Sequence, residues 1–433
     1  MAFSINNNIT GEHRTTEKPE IVIKDAMMGT GKSFGVIESL NQKVKDGTQH
    51  KEPTLMVLPD LKEIIRFHDA CPGMNFKEPS NENGRKQEDL KRLLLKGENI
   101  LSTHKLFELW DSEVAIFIEL GGYHIIFDEE VNCLLPLKIT STTIKELKRL
   151  ELISIEPETK RVQWNFDKSD DENGEYNGAK EHQKVRQHCK TGSIYMYGDE
   201  VSNQPFIVWE VPYKFFQIAR SYTILTYRFW SSELAAFFKT HDIEYKIELV
   251  DPERQTELKA RAKDLITLIN PPLKVQELTK GRNSLSMSWF DKCSKNVMKS
   301  IRESIGNCLR RAHKVESENM IWTCPKEYST AKGRAKKSHM AIPGYKSRHV
   351  AWTCKGTNDY RYCDTVVYLM NVYPNVNVQK YLNDKGGDWN ADEYALSCML
   401  QFIWRSCIRD GKPIELMIVN PRMRELFVNW LNA

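Results

Sequence analysis

Residues 26–33 read Ala26, Met27, Met28, Gly29, Thr30, Gly31, Lys32 and Ser33. This is the pattern of a phosphate-binding loop, Gly-x4-Gly-Lys-Ser/Thr, with Ala26 in place of the first glycine. Gly29 and Gly31 let the backbone from Met28 through Thr30 curl, so that its N–H groups point inward at phosphate oxygens. Lys32 supplies a point charge to the β- and γ-phosphates of ATP, and Ser33 supplies a hydroxyl for Mg2+. A helix starting at Lys32 adds its positive N-terminal end.

Two more groups of residues fit the same chemistry. Asp128 and Glu129 close an apolar run from His124 to Phe127. A carboxylate at the carboxyl end of a parallel strand lies at the edge where α/β proteins bind ligands. Asp128 can hold Mg2+, and Glu129 can polarise the attacking water. Further on, Gln401, Arg405 and Arg409 are spaced i, i+4, i+8, which on a helix sets them on one face. Phe402, Ile403, Trp404, Cys407 and Ile408 make that segment largely apolar and predict burial. An arginine there can stabilise charge on a transferring phosphoryl group.

Elements of alternating type must position these groups. Strand-like runs at Glu20 to Asp25, Thr54 to Leu58, Asn99 to Ser102 and Tyr123 to Asp128 alternate with helical patterns, which implies βα units and a parallel sheet. Residues 132–215 break that rhythm with a short helix, a hairpin turning at Pro157 to Lys160, and a polar tract from Asp167. They read as an α+β insertion. Ser221 to Phe229 resumes a strand. From about residue 236 the alternation returns, with strands expected at Glu244 to Val250, Met320 to Thr323, Val350 to Thr353, Thr365 to Val372 and Ile414 to Val419. Helices are expected at Cys293 to Val315, Asp392 to Ile408 and Pro421 to Leu431. The expected layout is a disordered arm over 1–19, an ATP-binding domain over 20–235 and a second α/β domain over 236–433.

The chain has 433 residues and a net charge of +4, too small to name a partner by itself. No apolar stretch approaches the roughly 18 residues of a membrane span. The ten cysteines are scattered without a Cys-x-x-Cys pair and read as reduced, buried thiols of a cytoplasmic protein. A basic run of Lys332, Arg334, Lys336 and Lys337 can track a phosphate backbone.

Ala-x-x-Gly-x-Gly-Lys-Ser, then the Asp-Glu pair, then Gln-x3-Arg resembles the motor core of superfamily 2 helicases, and more narrowly the helicase-like ATPases of bacteriophages. The resemblance covers nearly the whole chain outside the arm and the insertion. It implies two tandem RecA-like parallel-sheet domains, with ATP and Mg2+ bound between them and nucleic acid running across both. It places Thr103 and His104 among nucleic-acid contacts, and Thr226 in the motif that couples hydrolysis to movement. It places Gly356 and Asp359 near nucleotide, and Thr357 and Asn358 near nucleic acid. The implied function is an ATP-dependent motor, a DNA helicase or translocase of a phage replication or recombination system. Single-stranded or forked DNA is the favoured track, RNA is the alternative, and replication proteins are further partners. The setting would be the host cytoplasm.

The chain departs from the family at three points. Glu130 and Val131 follow the Asp-Glu pair, Tyr227 and Arg228 follow Thr226, and the arginines are Arg-x3-Arg rather than Arg-x2-Arg. Arg405 keeps the family spacing from Gln401 and is the favoured arginine finger. An ATP-gated loader or accessory protein and a terminase-like packaging ATPase remain as alternatives.

Overall fold

In the strands nearest the phosphate loop, successive side chains pack to opposite sides, and both sides are buried. Leu55, Val57, Ile125 and Phe127 enter one apolar cluster, while Met56, Leu58, Ile126 and Leu225 enter another. Burial on both faces is why these strands read as unbroken apolar runs. The computed structural model describes residues 18–82, 85–137, 139–171, 174, 176–191, 193–197, 206–330, 339–353 and 359–433. Residues 1–17 of the expected arm therefore lie outside the described residues.

The chain opens with β1 (Glu20–Asp25), β2 (Thr54–Leu58), β3 (Ile100–Thr103) and β4 (His124–Asp128). An insertion follows, with β5 (Leu134–Leu137), β6 (Ile153–Ile155), β7 (Arg161–Trp164), β8 (Ser193–Tyr197) and β9 (Phe206–Glu210). These five strands form their own antiparallel sheet, ordered β5-β9-β8-β7-β6. The chain then returns through β10 (Ser221–Thr226) and β11 (Lys246–Leu249). With β1 to β4 they complete a six-stranded parallel sheet, ordered β11-β1-β10-β4-β2-β3. A second parallel sheet contains β12 (Ile266–Leu268), β13 (Met320–Thr323), β14 (Thr365–Tyr368) and β15 (Ile414–Ile418), ordered β12-β15-β14-β13. Its faces are also both covered: Ile321, Val366 and Leu416 belong to one cluster, Trp322, Val367 and Met417 to another. The fold is α/β: two tandem RecA-like parallel-sheet units with an α+β insertion in the first.

Three local expectations are corrected. The strand expected in the second unit near residue 244 is β11, which pairs with β1 at the edge of the first sheet. Its four residues are all exposed, so its alternating Lys246, Ile247, Glu248 and Leu249 mark an edge rather than a core strand. Val350 to Thr353 does not form a strand; the pairing there is a single bridge between His349 and Trp322. The helix expected from Asp392 to Ile408 spans Ala391–Ile403. Beyond it, Arg405 N–H bonds the Phe402 carbonyl and Ser406 N–H the Ile403 carbonyl. The Ser406 hydroxyl donates to the same Ile403 carbonyl at 2.7 Å, which ends the regular helix. A short 3-10 turn, Cys407–Asp410, follows and ends at Gly411 in the left-handed region.

The second unit is anchored in the first. Its helix Val376–Asp384 buries Val378, Tyr381 and Leu382 in the apolar cluster of the first unit and insertion. The Tyr381 hydroxyl donates to Glu210 Oε2 at 2.6 Å, and Trp389 Nε1 donates to the Ser231 carbonyl at 2.9 Å. Among the described residues no helix is long and apolar enough to cross a membrane. The nine described cysteines are all free.

His124, at the start of β4, joins β4 to β10 through a 2.7 Å contact between its Nδ1 and Ser221 Oγ. Burial, together with the charges of Lys43 and Lys24, lowers its imidazole to about 4. Between pH 6.5 and 4 the unfolded chain takes up a proton that the folded chain refuses. Stability should therefore fall by about 2–3 kcal/mol as pH drops through that window. In urea titrations across it, His124→Asn should flatten the fall.

Candidate functional site

The carboxyl ends of β1, β10 and β4 converge on the phosphate loop. The loop leaves β1 after Asp25 and ends at Gly31, the N-cap of the helix Lys32–Lys45. Gly29 and Gly31 both take positive φ, 91° and 90°. Side chains rarely adopt that region, so the curl depends on glycine. β10 lies between β1 and β4 and fixes both neighbours. Its Thr226 carbonyl accepts from Ala26 N–H and its Leu225 carbonyl from Glu129 N–H, each at 3.0 Å. Asp25 accepts from the N–H groups of Arg228 and Phe229 at 2.8 and 2.9 Å, closing the turn after β10.

Lys32, Ser33, Asp128 and Glu129 meet in one cleft. The Lys32 ammonium donates to the Ala26 carbonyl of its own loop. Burial lowers it to about 8, against the raising pull of Glu129, Asp25 and Asp128. Ser33 Oγ donates to Asp128 Oδ1 at 3.3 Å. Asp128 is only 6% exposed. Burial and the neighbouring carboxylates of Glu129 and Glu63 raise it to about 7. Glu129 holds a left-handed conformation, φ 69°, uncommon for a residue with a side chain and found at functional sites.

The other wall of the cleft comes from the second unit. Gln401, Trp404, Arg405, Arg409, Asp410 and Gly411 face the phosphate loop across a space of about 490 Å3. The three residues expected on one helical face thus reach one cleft, but through the break after Ile403. Gln401 Nε2 donates to Ser397 Oγ at 3.4 Å, and Ser397 Oγ donates to the Tyr227 carbonyl of the first unit at 3.3 Å. Arg405 is 7% exposed, and its Nη1 lies 3.5 Å from the Ala351 carbonyl of its own unit. Arg409 comes closest to the loop: a Cβ built on Gly29 would lie 3.3 Å from Arg409 Cγ. Burial, then the charge of Arg361, lowers the Arg409 guanidinium from its ordinary value.

The cleft also holds residues that motif reading passed over. Glu63 and Arg66 come from the helix Leu61–Ala70, and Arg254 and Arg261 from the helix Pro252–Leu265 that connects the units. Gln255 of that connector accepts from Met27 N–H at 3.1 Å, tying it to the phosphate loop. Arg361 makes a two-point ion pair with Asp410, its Nε 3.1 Å from both carboxylate oxygens. The signal for the connector was its start, Asp251 before Pro252, an N-cap followed by proline at the first helical position. Lys32, Arg66, Arg254, Arg261, Arg361, Arg405 and Arg409 outnumber Glu63, Asp128, Glu129 and Asp410 along the walls. That excess of cations suits a polyphosphate.

The residue set also fits Mg2+. A serine hydroxyl and a carboxylate oxygen within hydrogen-bond distance are hard oxygen donors. Mg2+ takes one or two carboxylates and completes its shell with phosphate oxygens and water. Among the described residues no three His, Cys, Asp or Glu side chains gather to hold a metal by themselves.

The residues that the resemblance places near nucleic acid, and Gly356 and Asp359 that it places near nucleotide, stand as follows. Thr103 Oγ1 caps the helix after β3 by accepting from Leu106 N–H at 3.2 Å. His104 Nε2 lies 3.0 Å from the Asp128 carbonyl oxygen. Thr226 is buried and donates to Glu130. Asp359 pairs with Lys62 of the first unit at 2.6 Å, at the surface and outside the cleft lining. Gly356, Thr357, Asn358, Lys332, Arg334, Lys336 and Lys337 lie outside the described residues.

Residues 260–431 match a family described as "YonV C-terminal Rossmann-like domain". Over 431 residues the chain is 28% identical to the "SPbeta prophage-derived uncharacterized protein YonV" of Bacillus subtilis (strain 168). That alignment covers 95% of this chain and 98% of the relative. Among solved structures, one named "XPD_APO" has a TM-score of 0.47 at 13% identity. Another, named "XPD_Helicase", has 0.45 at 12%. Each alignment covers 96% of this chain and 95% of the other.

Gly29 is the sharpest test of this geometry. An alanine there meets a left-handed backbone costing about 1–2 kcal/mol as well as the Arg409 side chain. Gly29→Ala should weaken nucleotide binding about tenfold or more. Gly35→Ala, where a Cβ meets nothing within 4 Å, should leave binding unchanged. Fluorescent-nucleotide titration separates the two.

Proposed function

We propose that this protein is an ATP-dependent nucleic-acid motor, a DNA helicase or translocase serving phage replication or recombination. One observation carries the reading: a single cleft collects Lys32, Ser33, Asp128 and Glu129 from one parallel-sheet unit and Gln401, Arg405 and Arg409 from the other. A phosphate loop alone needs only one domain. A loop faced by arginines from a second domain makes hydrolysis sensitive to how the two domains sit, and that sensitivity is what a motor requires.

In this reading the loop N–H groups and Lys32 bind the β- and γ-phosphates of ATP. Ser33 and Asp128 would hold Mg2+, which would neutralise charge on the phosphate oxygens. Glu129 orients the attacking water and accepts its proton. Arg409, which stands against Gly29, and Arg405 approach the γ-phosphate from the second unit. Thr226 bonds Glu130, beside the water-orienting carboxylate, and the chain just beyond it bonds Ser397 of the second unit. β10 is thereby the element that links hydrolysis to the relative position of the units. The prophage origin of the full-length relative supports the phage setting.

The test is ATP hydrolysis measured with and without single-stranded DNA, RNA and forked duplex. Single-stranded or forked DNA should stimulate turnover, and Lys32→Ala should abolish it. If neither nucleic acid changes the rate, the motor reading fails. Hydrolysis stimulated by DNA without strand separation on the fork would favour an ATP-gated loader over a helicase.

A further inference from the structure

One ion pair in the cleft belongs to none of the motifs. Glu63 and Arg66 lie one turn apart on the helix Leu61–Ala70, which follows β2 and is capped by Asp60. Glu63 is 4% exposed, and its Oε2 lies 2.5 Å from Arg66 Nη2. The same Nη2 lies 3.9 Å from Asp128 Oδ2. The Arg66 guanidinium carbon sits 4.9 Å from the centre of the Phe67 ring, which limits where the fork can go. Among the described residues neither Arg66 Nε nor Glu63 Oε2 has a hydrogen-bond partner, so the contact between the two side chains is ionic.

The two oxygens of Asp128 thus have different neighbours. Oδ1 receives the Ser33 hydroxyl at 3.3 Å, and Oδ2 faces the arginine. A carboxylate at a strand end can rotate about its last bond. The arginine acts on Oδ2 as a charge at 3.9 Å rather than through a hydrogen bond, and with the hydroxyl on Oδ1 it favours one plane of the group. Both carboxylate contacts are made by the same guanidinium nitrogen, Nη2, so Glu63 sets where the charge facing Asp128 stands.

We propose that Glu63 and Arg66 are positioning residues for the metal-binding carboxylate. Glu63 anchors Arg66, and Arg66 holds Asp128 Oδ2 so that Oδ1 stays directed at Ser33. This rests on the nucleotide-site reading above and assigns a role to residues that reading does not use. Groups that orient a ligand rather than bind the metal typically change metal affinity about 10–100-fold when removed.

The experiment titrates Mg2+ into the full-length protein with a fluorescent ADP analogue, first in EDTA and then across Mg2+ concentration, without relying on turnover. For Arg66→Gln, compared in protein that remains folded, the Mg2+ half-saturation point should rise about tenfold or more, a larger factor than the accompanying loss of metal-free nucleotide affinity. Glu63→Gln should shift the same point in the same direction, and Arg66→Lys should recover part of the loss. An unchanged half-saturation point in Arg66→Gln and Glu63→Gln overturns the proposal. So does a lowered one, which would make Arg66 a competitor of the metal rather than a support for its ligand. If Arg66→Gln unfolds, Glu63→Gln and Arg66→Lys decide by the same criterion. Wild-type protein that binds no nucleotide at any Mg2+ concentration would instead overturn the nucleotide site itself.

Discussion

The contact between Gly29 and Arg409 is the constraint on which the rest of the site depends. The loop curls with residue 29 at positive φ, and the second unit comes so near that a side chain there would press on Arg409 Cγ. Glycine meets both demands at once. The loop's geometry and the closeness of the two units are therefore one requirement. Gln255 acts on the same loop from another side, accepting Met27 N–H from the connector helix. A loop held in this way is shaped by the unit that contains it and by the unit that faces it.

The two units also meet away from the cleft. The helix Val376–Asp384 leaves the second sheet after β14 and buries Tyr381 and Leu382 in the cluster of the first unit and insertion. Its Tyr381 and Lys385 share the buried Glu210 at the end of β9. The insertion, which breaks the βα rhythm of the first unit, thereby acquires a structural purpose: it supplies the surface on which the second unit rests. Near the cleft polar contacts, such as Arg228 with Glu393 and Ser397 with the Tyr227 carbonyl, are joined by Met27, Met28 and Tyr227 of the first unit packing on the apolar cluster of the second. At the insertion the contact is apolar and buried.

Much of this was legible in the sequence, for identifiable reasons. Parallel strands buried on both faces leave continuous apolar runs, so β2, β4, β13, β14 and β15 were visible. The loop at 26–33 was visible because a phosphate-binding pattern asks for particular residues at fixed spacing. Gln401, Arg405 and Arg409 were visible by type, but their shared helical face was not real. The Ser406 hydroxyl bond that ends the helix depends on a local competition that periodicity does not register. β11 was assigned to the wrong sheet because an exposed edge strand has no partner-specific pattern. Thr103, His104 and Thr226 carried motif expectations, yet their side chains are engaged by the Leu106 amide, the Asp128 carbonyl and Glu130. Glu63 and Arg66 resemble any exposed i, i+3 pair in sequence, and only the fold brings them to Asp128.

The central claim is that the second unit completes a nucleotide site begun by the phosphate loop. It is tested most directly by measuring nucleotide affinity and turnover together on Arg405→Ala and Arg409→Ala. The two-unit cleft predicts near-normal affinity with turnover reduced about 10³-fold or more in at least one variant. The approach of Arg409 to Gly29 makes that variant the more severe. Normal turnover in both would contradict the account, because it would leave the phosphate loop acting without the unit that faces it.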